Sequence, residues 1–357
     1  MKTIIYLMAI YNTQQYVGDA IESLMKSFKY AKSIDNEIDP YLIIRNDGST
    51  DNAKDVILEK IKKNSNIFLL ENIKNIGILE TRRNLFLDAH DLVKEKKIIN
   101  EQDIYLSLFD SDDICVETRV IKQLKEFEAD SGLTACGGQL LLFKDNPNAL
   151  YNSFGILNDY KKTYDEVKVD SLFQSSTISP CMSFRYGWIK KRLENLDRKQ
   201  WWANVRIGED WAAIVDFMFE KDFKYKNIND VVLLYRRHED SMTNIITDGV
   251  DTDQAQIRNK ALSYLNLELT EQEHLLHIAI SPCRHWGIYN VDFFQNNQKY
   301  IYEMSAKLMQ KIIKANKDSN FYNQVYLEKY IAIVMNNIKF YQHIDLVDVP
   351  VLLKIGK

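Results

Sequence analysis

The feature that most constrains this chain is an alternation, through its first half, of short apolar runs with amphipathic stretches, each run ending in a polar loop. Thr3–Ile10 reads as a buried strand, and Tyr16–Ala31 as a helix with Val17, Ile21, Leu24 and Phe28 on one face. Tyr41–Arg45 reads as a second strand, followed by Asn46-Asp47-Gly48-Ser49-Thr50-Asp51, turn chemistry that leads into a helix over Ala53–Lys63. Asn66–Leu70, a helix over Gly77–Lys97 and a fourth strand at Ile104–Phe109 complete the series. Strands and helices in alternation with short connections predict an α/β fold with a mostly parallel central sheet flanked by helices. In such sheets ligands bind beyond the carboxyl ends of the strands. Three polar loops fall there: Asn12 onward, Asn46–Asp51 and Asp110–Asp113.

The last of these loops is the most pointed chemically. Asp110-Ser111-Asp112-Asp113 sets three carboxylates within four residues at the end of an apolar strand. Crowded carboxylates repel one another, and a divalent cation held by one or two of them together with substrate phosphates relieves the repulsion. The plainer alternative is an acidic turn that caps the helix starting near Val116.

The middle of the chain is less regular. Thr134–Phe143 and Val231–Arg237 read as strands and Gly208–Phe219 as a helix, while Ile245–Gln256 is the best linker. From about Asp251 the pattern is helical. In Tyr300–Lys314, Ile301, Met304, Leu308 and Ile312 form an apolar stripe opposite Lys299, Glu303, Lys307 and Lys311, with Glu303 and Lys307 one turn apart. The organisation expected is an α/β domain over 1–245 and a helical C-terminal region over 246–357 for interaction, including self-association.

Composition removes other classes. A net charge of −4 argues against a nucleic-acid binder. Cys115, Cys136, Cys181 and Cys283 form no CxxC pair, so a zinc ribbon or thioredoxin-type site is not expected, and scattered thiols suit a reducing compartment. The Thr3–Tyr11 run is read as a strand and not a signal peptide, and no stretch approaches the roughly 18 apolar residues of a membrane span. A cytoplasmic location is expected, with peripheral contact at the inner membrane face through Lys299, Lys307, Lys311 and Lys314. No GxGxxG, GxxxxGK[ST] or HExxH occurs. His274 and His277 are spaced like a ligand pair without an acidic partner between them, and a structural role is expected for both.

Six elements now stand in one order: Ala9-Ile10-Tyr11-Asn12, the Asn46–Asp51 loop, Asn75-Ile76-Gly77 with Arg82-Arg83-Asn84, Asp110–Asp113, Gly208-Glu209-Asp210-Trp211, and Tyr235-Arg236-Arg237-His238. Together, over about residues 3–245, they resemble the family-two inverting glycosyltransferases with the GT-A fold. The chain departs from the family where Ala9-Ile10 stands in place of the usual proline. The spacing after Asn75 leaves open whether Arg82 or Arg83 serves the site.

The resemblance implies a donor that is a nucleoside diphosphate sugar, most simply a UDP-sugar, and a cofactor that is Mn²⁺ or Mg²⁺. It places Tyr11, Asn12, Asp47, Asn75, Arg83, Asp110, Ser111 and Asp113 on the donor. Asp47 would accept from the base N–H, Tyr11 would stack on the base, and Arg83 would pair with Asp110 or a phosphate. Asp112 and His238 are the implied metal ligands. Asp210, at a helix start among Trp201, Trp202 and Trp211, is the implied general base, its pKa raised by burial. Trp202, Glu209 and the Gln174–Thr177 segment would face the acceptor, a hydroxyl of a growing glycan or glycolipid such as capsule or lipopolysaccharide. Two other readings are a sugar-1-phosphate nucleotidyltransferase, disfavoured because the first loop lacks glycine and basic residues, and a non-catalytic scaffold built on the helical tail.

Overall fold

The computed structural model describes residues 1–98, 100–144, 153–157, 163–205, 207–238, 250–281 and 300–341. Cys283, Lys299 and the first part of the expected linker lie outside these. The four expected strands form as β1 (Lys2–Ile10), β2 (Ile38–Asn46), β3 (Ile67–Glu71) and β4 (Ile104–Leu108). They pair in parallel in the order β3-β2-β1-β4. The register sets Ile10 beside Asn46 and Leu7 beside Leu108, so the carboxyl ends of β1, β2 and β4 share one edge of the sheet.

The helices between these strands are α1 (Val17–Ile34), α2 (Ala53–Ile61) and α3 (Ile78–Glu95), followed by α4 (Arg119–Ala129). Beyond β4 the nine-stranded sheet becomes mixed. The short β8 (Ser183–Arg185) runs antiparallel to β4, and β6 (Ala135–Lys144) antiparallel to β8. β9 (Tyr225–Arg237) runs parallel to β6, while β5 (Ile114–Cys115) and β7 (Ser153–Leu157) pair antiparallel to β9 and β6. Bare glycine is required where β6 meets β9: a Cβ on Gly137 would fall 2.0 Å from Tyr225 Oη, and one on Gly138 2.7 Å from Val232 Cγ2.

β1 shows why its run is almost continuously apolar. Ile5 and Leu7 point into the core that α3 covers, and Ile4, Tyr6 and Met8 into the core under α1, α2 and α4. The first core continues through α5 (Tyr164–Asp170), α6 (Tyr186–Asn195) and α7 (Glu209–Phe217). It also takes in side chains of α8 (Val250–Ser263), α9 (Glu271–Ile280), α10 (Ile301–Ser319) and α11 (Gln324–Tyr341).

Two expectations are corrected here. Residues 250–256 are the opening of α8 and not linker. Lys311, expected to face away, bonds Glu273 of α9 at 2.7 Å. The stripe itself holds: Ile301, Leu308 and Ile312 are buried and Met304 packs against them. His277 is fully buried, 5.0 Å from the Phe173 ring between centroids, as suits a structural histidine. No helix among the described residues is long and apolar enough to cross a membrane.

Candidate active site

The loops after β1 and β2 are fastened to each other. Asn12 sits in the left-handed region at φ 53°, and its Oδ1 accepts the Thr50 N–H at 2.8 Å while its own N–H donates to Ser49 Oγ at 3.0 Å. Gln14 and Asp51 add a second pair of bonds: the Gln14 N–H donates to Asp51 Oδ2 at 2.8 Å, and Gln14 Oε1 accepts from the Asn52 N–H at 2.9 Å. Gly48, at φ 69°, lies where a Cβ would come within 2.7 Å of the Asn75 backbone nitrogen. That close approach brings the 72–77 segment onto Asp47. The buried Asp47 carboxylate accepts from Asn72 Nδ2 at 2.8 Å and from the N–H groups of Ile76 and Gly77 at 2.9 Å each. Asn75 turns its own Oδ1 onto the Gly77 N–H at 3.0 Å.

The acidic loop after β4 is clamped from β9. The Arg236 N–H donates to Asp113 Oδ1 at 2.9 Å, and Arg236 Nε donates to the Asp112 carbonyl at 2.7 Å. His238 Nε2 lies 3.0 Å from Asp112 Oδ2, and its ring packs 4.6 Å from that of Tyr16. Ser111 and Asp113 are buried, and Asp113 Oδ2 has no hydrogen-bond partner among the described residues. Burial, and then the neighbouring carboxylates, push the Asp113 carboxyl well up; burial foremost, opposed by Arg82 and reinforced by Asp112, pushes Asp110 up to about 7. Asp112 and His238 open onto a cleft of about 370 Å³ whose other walls include Tyr11, Gln15, Thr50 and Asp51.

The start of α7 is joined to the acidic loop through Arg82. Gly208 at φ 73° turns the chain into the helix, leaving Glu209 and Asp210 side by side in its first turn. The two part ways, as adjacent helical residues do. Glu209 turns inward onto Arg82, Trp202 Nε1 and Ser179 Oγ. Asp210 stays partly exposed, with its carboxylate on the N–H groups of Trp211 (2.8 Å) and Ser179. Burial, then Glu209, pushes Asp210 up to about 7.

One guanidinium joins the two sides. Arg82, 4% exposed, contacts Glu209 through Nη1 and reaches Asp110 Oδ1 at 3.3 Å through Nη2. This corrects the pairing expected of Arg83, whose guanidinium instead grips Glu80 and the carbonyl of Ala203 at 2.8 Å. Trp202 is corrected too: at 1% exposure it offers no face to an acceptor, and its indole holds Glu209. Ser176 and Thr177 are likewise buried, with Ser176 Oγ on Asp170. Tyr11 is exposed beside the cleft. Arg82 is one of the two arginines the sequence left open, and Asn72, Arg236, Tyr16 and Gln14 are the site-building residues that sequence reasoning missed. Of these, Arg236 stood inside a quoted motif, and Asn72 and Gln14 carry no local signal.

A carboxylate and an imidazole, Asp112 and His238, meet at the cleft and suit a hard or borderline divalent ion. Among the described residues no cage of three or more His, Cys, Asp or Glu side chains converges. The Asp112–His238 contact at the cleft wall fits a cation whose remaining positions come from substrate oxygens and water. A cleft walled by Asp112 and His238 can take a cation with a charged leaving group, and Asp210, next in sequence to the Glu209 that Arg82 ties to Asp110, can accept a proton.

A family model described as Glycosyl transferase family 2 matches residues 6–193, a little over half of the chain. An uncharacterized glycosyltransferase of Methanocaldococcus jannaschii is 23% identical over 237 residues, 64% of this chain and 69% of that protein. Among solved structures, S. aureus TarS 1–349 in complex with UDP-GlcNAc aligns with a TM-score of 0.52 at 18% identity, covering 92% of this chain and 91% of that one. A mannosyltransferase of Pyrobaculum calidifontis, in complex with GDP-Man and Mn²⁺, aligns with a TM-score of 0.47 at 11% identity, covering 99% and 85%. The likeness to TarS concerns the fold, the expected GT-A arrangement with C-terminal helices present. Asp210 and His238 lie beyond the stretch the family model matches.

Proposed function

The chain belongs to glycosyl transferase family 2 and is a glycosyltransferase, and from that premise we propose that it moves a sugar from a nucleoside diphosphate sugar to an acceptor hydroxyl in one inverting, metal-dependent displacement. The observation that carries the reading is the bridge made by Arg82. It ties Asp110, on the donor side, to Glu209, the neighbour of the proposed base.

In this reading Asp47 and the loop it organises receive the base of the donor, with Tyr11 beside it. Asp112 and His238, supported by Asp110 and Asp113, would hold Mn²⁺ or Mg²⁺. When bound, the ion supplies Lewis-acid stabilisation of the diphosphate leaving group. Asp210 takes the proton from the acceptor hydroxyl. That oxygen bonds to the anomeric carbon as the bond to the diphosphate oxygen breaks, and the electron pair leaves with the nucleoside diphosphate. Arg82 and Glu209 keep Asp210 oriented, and the raised pKa of Asp210 suits it to accept a proton near neutral pH. A UDP-sugar is the donor of first choice, with UDP-GlcNAc, bound by the TarS fragment, the first to try. A surface glycan as acceptor is proposed from the family resemblance, and a peripheral position at the inner membrane face from the exposed Lys307 and Lys314 of α10.

The test is release of nucleoside diphosphate from a panel of UDP- and GDP-sugars with Mn²⁺, with and without chelator. Wild type is expected to turn over at least one donor only with the metal, and Asp112→Ala to lose about 10²-fold or more in rate. Full activity of Asp112→Ala, or turnover indifferent to chelator, would refute the metal assignment.

A further inference from the structure

We infer that Asp253 is a positioning residue for the base Asp210, which makes helix α8 a working part of the transferase and not a separate interaction module. The inference rests on the reading of Asp210 as base. Asp210 follows a left-handed glycine, Gly208 at φ 73°, so the direction in which α7 sets out depends on how the peptides around that glycine are held. The preceding peptide is held from α8: the Ile207 N–H donates to Asp253 Oδ2 at 2.9 Å. One turn along α8, Ile257 seats on the glycine itself, its Cδ1 3.3 Å from where a Gly208 Cβ would be.

The residue after the base is held from the same helix. The Arg258 guanidinium stacks 4.8 Å over the Trp211 ring and is anchored by Gln254 Oε1 at 3.0 Å and the Phe173 carbonyl at 3.1 Å. Trp211 Nε1 donates to the Ser171 carbonyl at 2.9 Å. Just past α8, Tyr264 Oη donates to the Val215 carbonyl near the end of α7. The Asp210 carboxylate therefore sits between a peptide and an indole that α8 fixes. A general base works only within hydrogen-bond reach of the proton it removes. The nucleotide-side loops are fastened by their own bonds between Asn12 and Thr50 and between Asp47 and Gly77, so Asp253 has no part in nucleotide binding.

The experiment uses the full chain: wild type, Asp253→Ala, Asp253→Asn and Asp210→Asn. Donor hydrolysis with Mn²⁺, UDP affinity by calorimetry and hydrogen exchange over residues 205–211 are measured for each. Asp253→Ala is expected to lose about 10- to 100-fold in turnover, as small displacements of a reacting group do, with UDP affinity kept and faster exchange confined to that segment. Asp253→Asn, whose amide oxygen still accepts the Ile207 N–H, should recover most of the rate. The inference is overturned if Asp253→Ala turns over like wild type, if its UDP affinity falls in step with its rate, or if Asp253→Asn is as impaired as the alanine variant. Full activity of Asp210→Asn would bring down the base reading itself, whereas an inactive Asp210→Asn beside a fully active Asp253→Ala would bring down only the positioning.

Discussion

Two adjacent carboxylates at the start of α7 are assigned opposite roles by their surroundings alone. Glu209 is saturated by a guanidinium, an indole N–H and a hydroxyl, and a carboxylate so held is fixed in place. Asp210 receives two backbone N–H bonds, but desolvation outweighs them and its carboxyl rises to about 7. A base must be unprotonated, so turnover is expected to climb through pH about 7 and level off above it. Asp210→Asn should lose about 10²–10⁴-fold in rate at pH 8 while binding UDP as wild type does, and its residual rate should lack that limb. Stability runs the other way. A carboxyl whose folded pKa lies above the unfolded value of 3.8 keeps a proton that the unfolded chain has released. The folded form is therefore progressively disfavoured as pH rises from about 4 to about 7. Wild type should thus lose more thermal stability than Asp210→Asn between pH 5 and pH 8. Matching pH profiles for the two proteins, in rate and in melting, would remove Asp210 from the role.

At the scale of elements, Arg82 is where α3, the end of β4 and the start of α7 meet. Its guanidinium and the Glu209 carboxylate are both largely buried, at 4% and 13% side-chain exposure. Removing either partner strands the other charge in low dielectric, so Arg82→Ala and Glu209→Ala should each destabilise by roughly 3 kcal/mol or more. The double variant should fall short of the sum by about 1–3 kcal/mol. Urea denaturation of the four proteins reads this coupling, and simple additivity would mean that the bridge is not formed in solution.

The same junction marks where the sequence stops being readable. The first four strand runs, the loops at their ends and the acidic start of α7 rest on local patterns, and the structure has them within a few residues of where they were expected, whereas β9 starts six residues before the expected Val231. The choice between Arg82 and Arg83 does not rest on anything local. The two are chemically identical neighbours, and only the packing of α3 against α7 decides which faces Asp110 and which faces the carbonyl of Ala203. Trp202 misled for a related reason: an indole beside a proposed acceptor segment serves as well for holding Glu209 as for stacking on a sugar. The two- and three-residue strands β5 and β8 exist through pairing with β9, β4 and β6, which no local pattern encodes. The opening of α8 reads as a polar linker because the residues that fasten it, Asp253 on Ile207 and Gln254 on Arg258, are polar.

For the molecule as a whole, the question is whether α8–α11 are an appendage or half of a core. The sheet has two covered faces, and they differ. The face under α1, α2 and α4 is closed by residues that all precede the end of β9. On the other face Trp211, Phe173 and Phe217 share one cluster with Ile257, Leu262 and Leu265, with Leu276 and Ile280, and with Leu308, Ile312, Leu327 and Val334. Each such side chain removed from water contributes about 1.5–3 kcal/mol, and a domain's net stability is only about 5–15 kcal/mol. Losing even five of them takes away about 7.5–15 kcal/mol, as large as the margin itself, and uncovers Trp211 and Phe173. A chain ending at residue 249 is therefore expected to lose cooperative thermal unfolding and to bind a hydrophobic dye. It should lose turnover as well, since α8 goes with the rest. A shortened chain that melts cooperatively within a few degrees of the full-length protein, and keeps its turnover, would show that the helices sit on a finished domain and that the shared core is not what holds α7 in place.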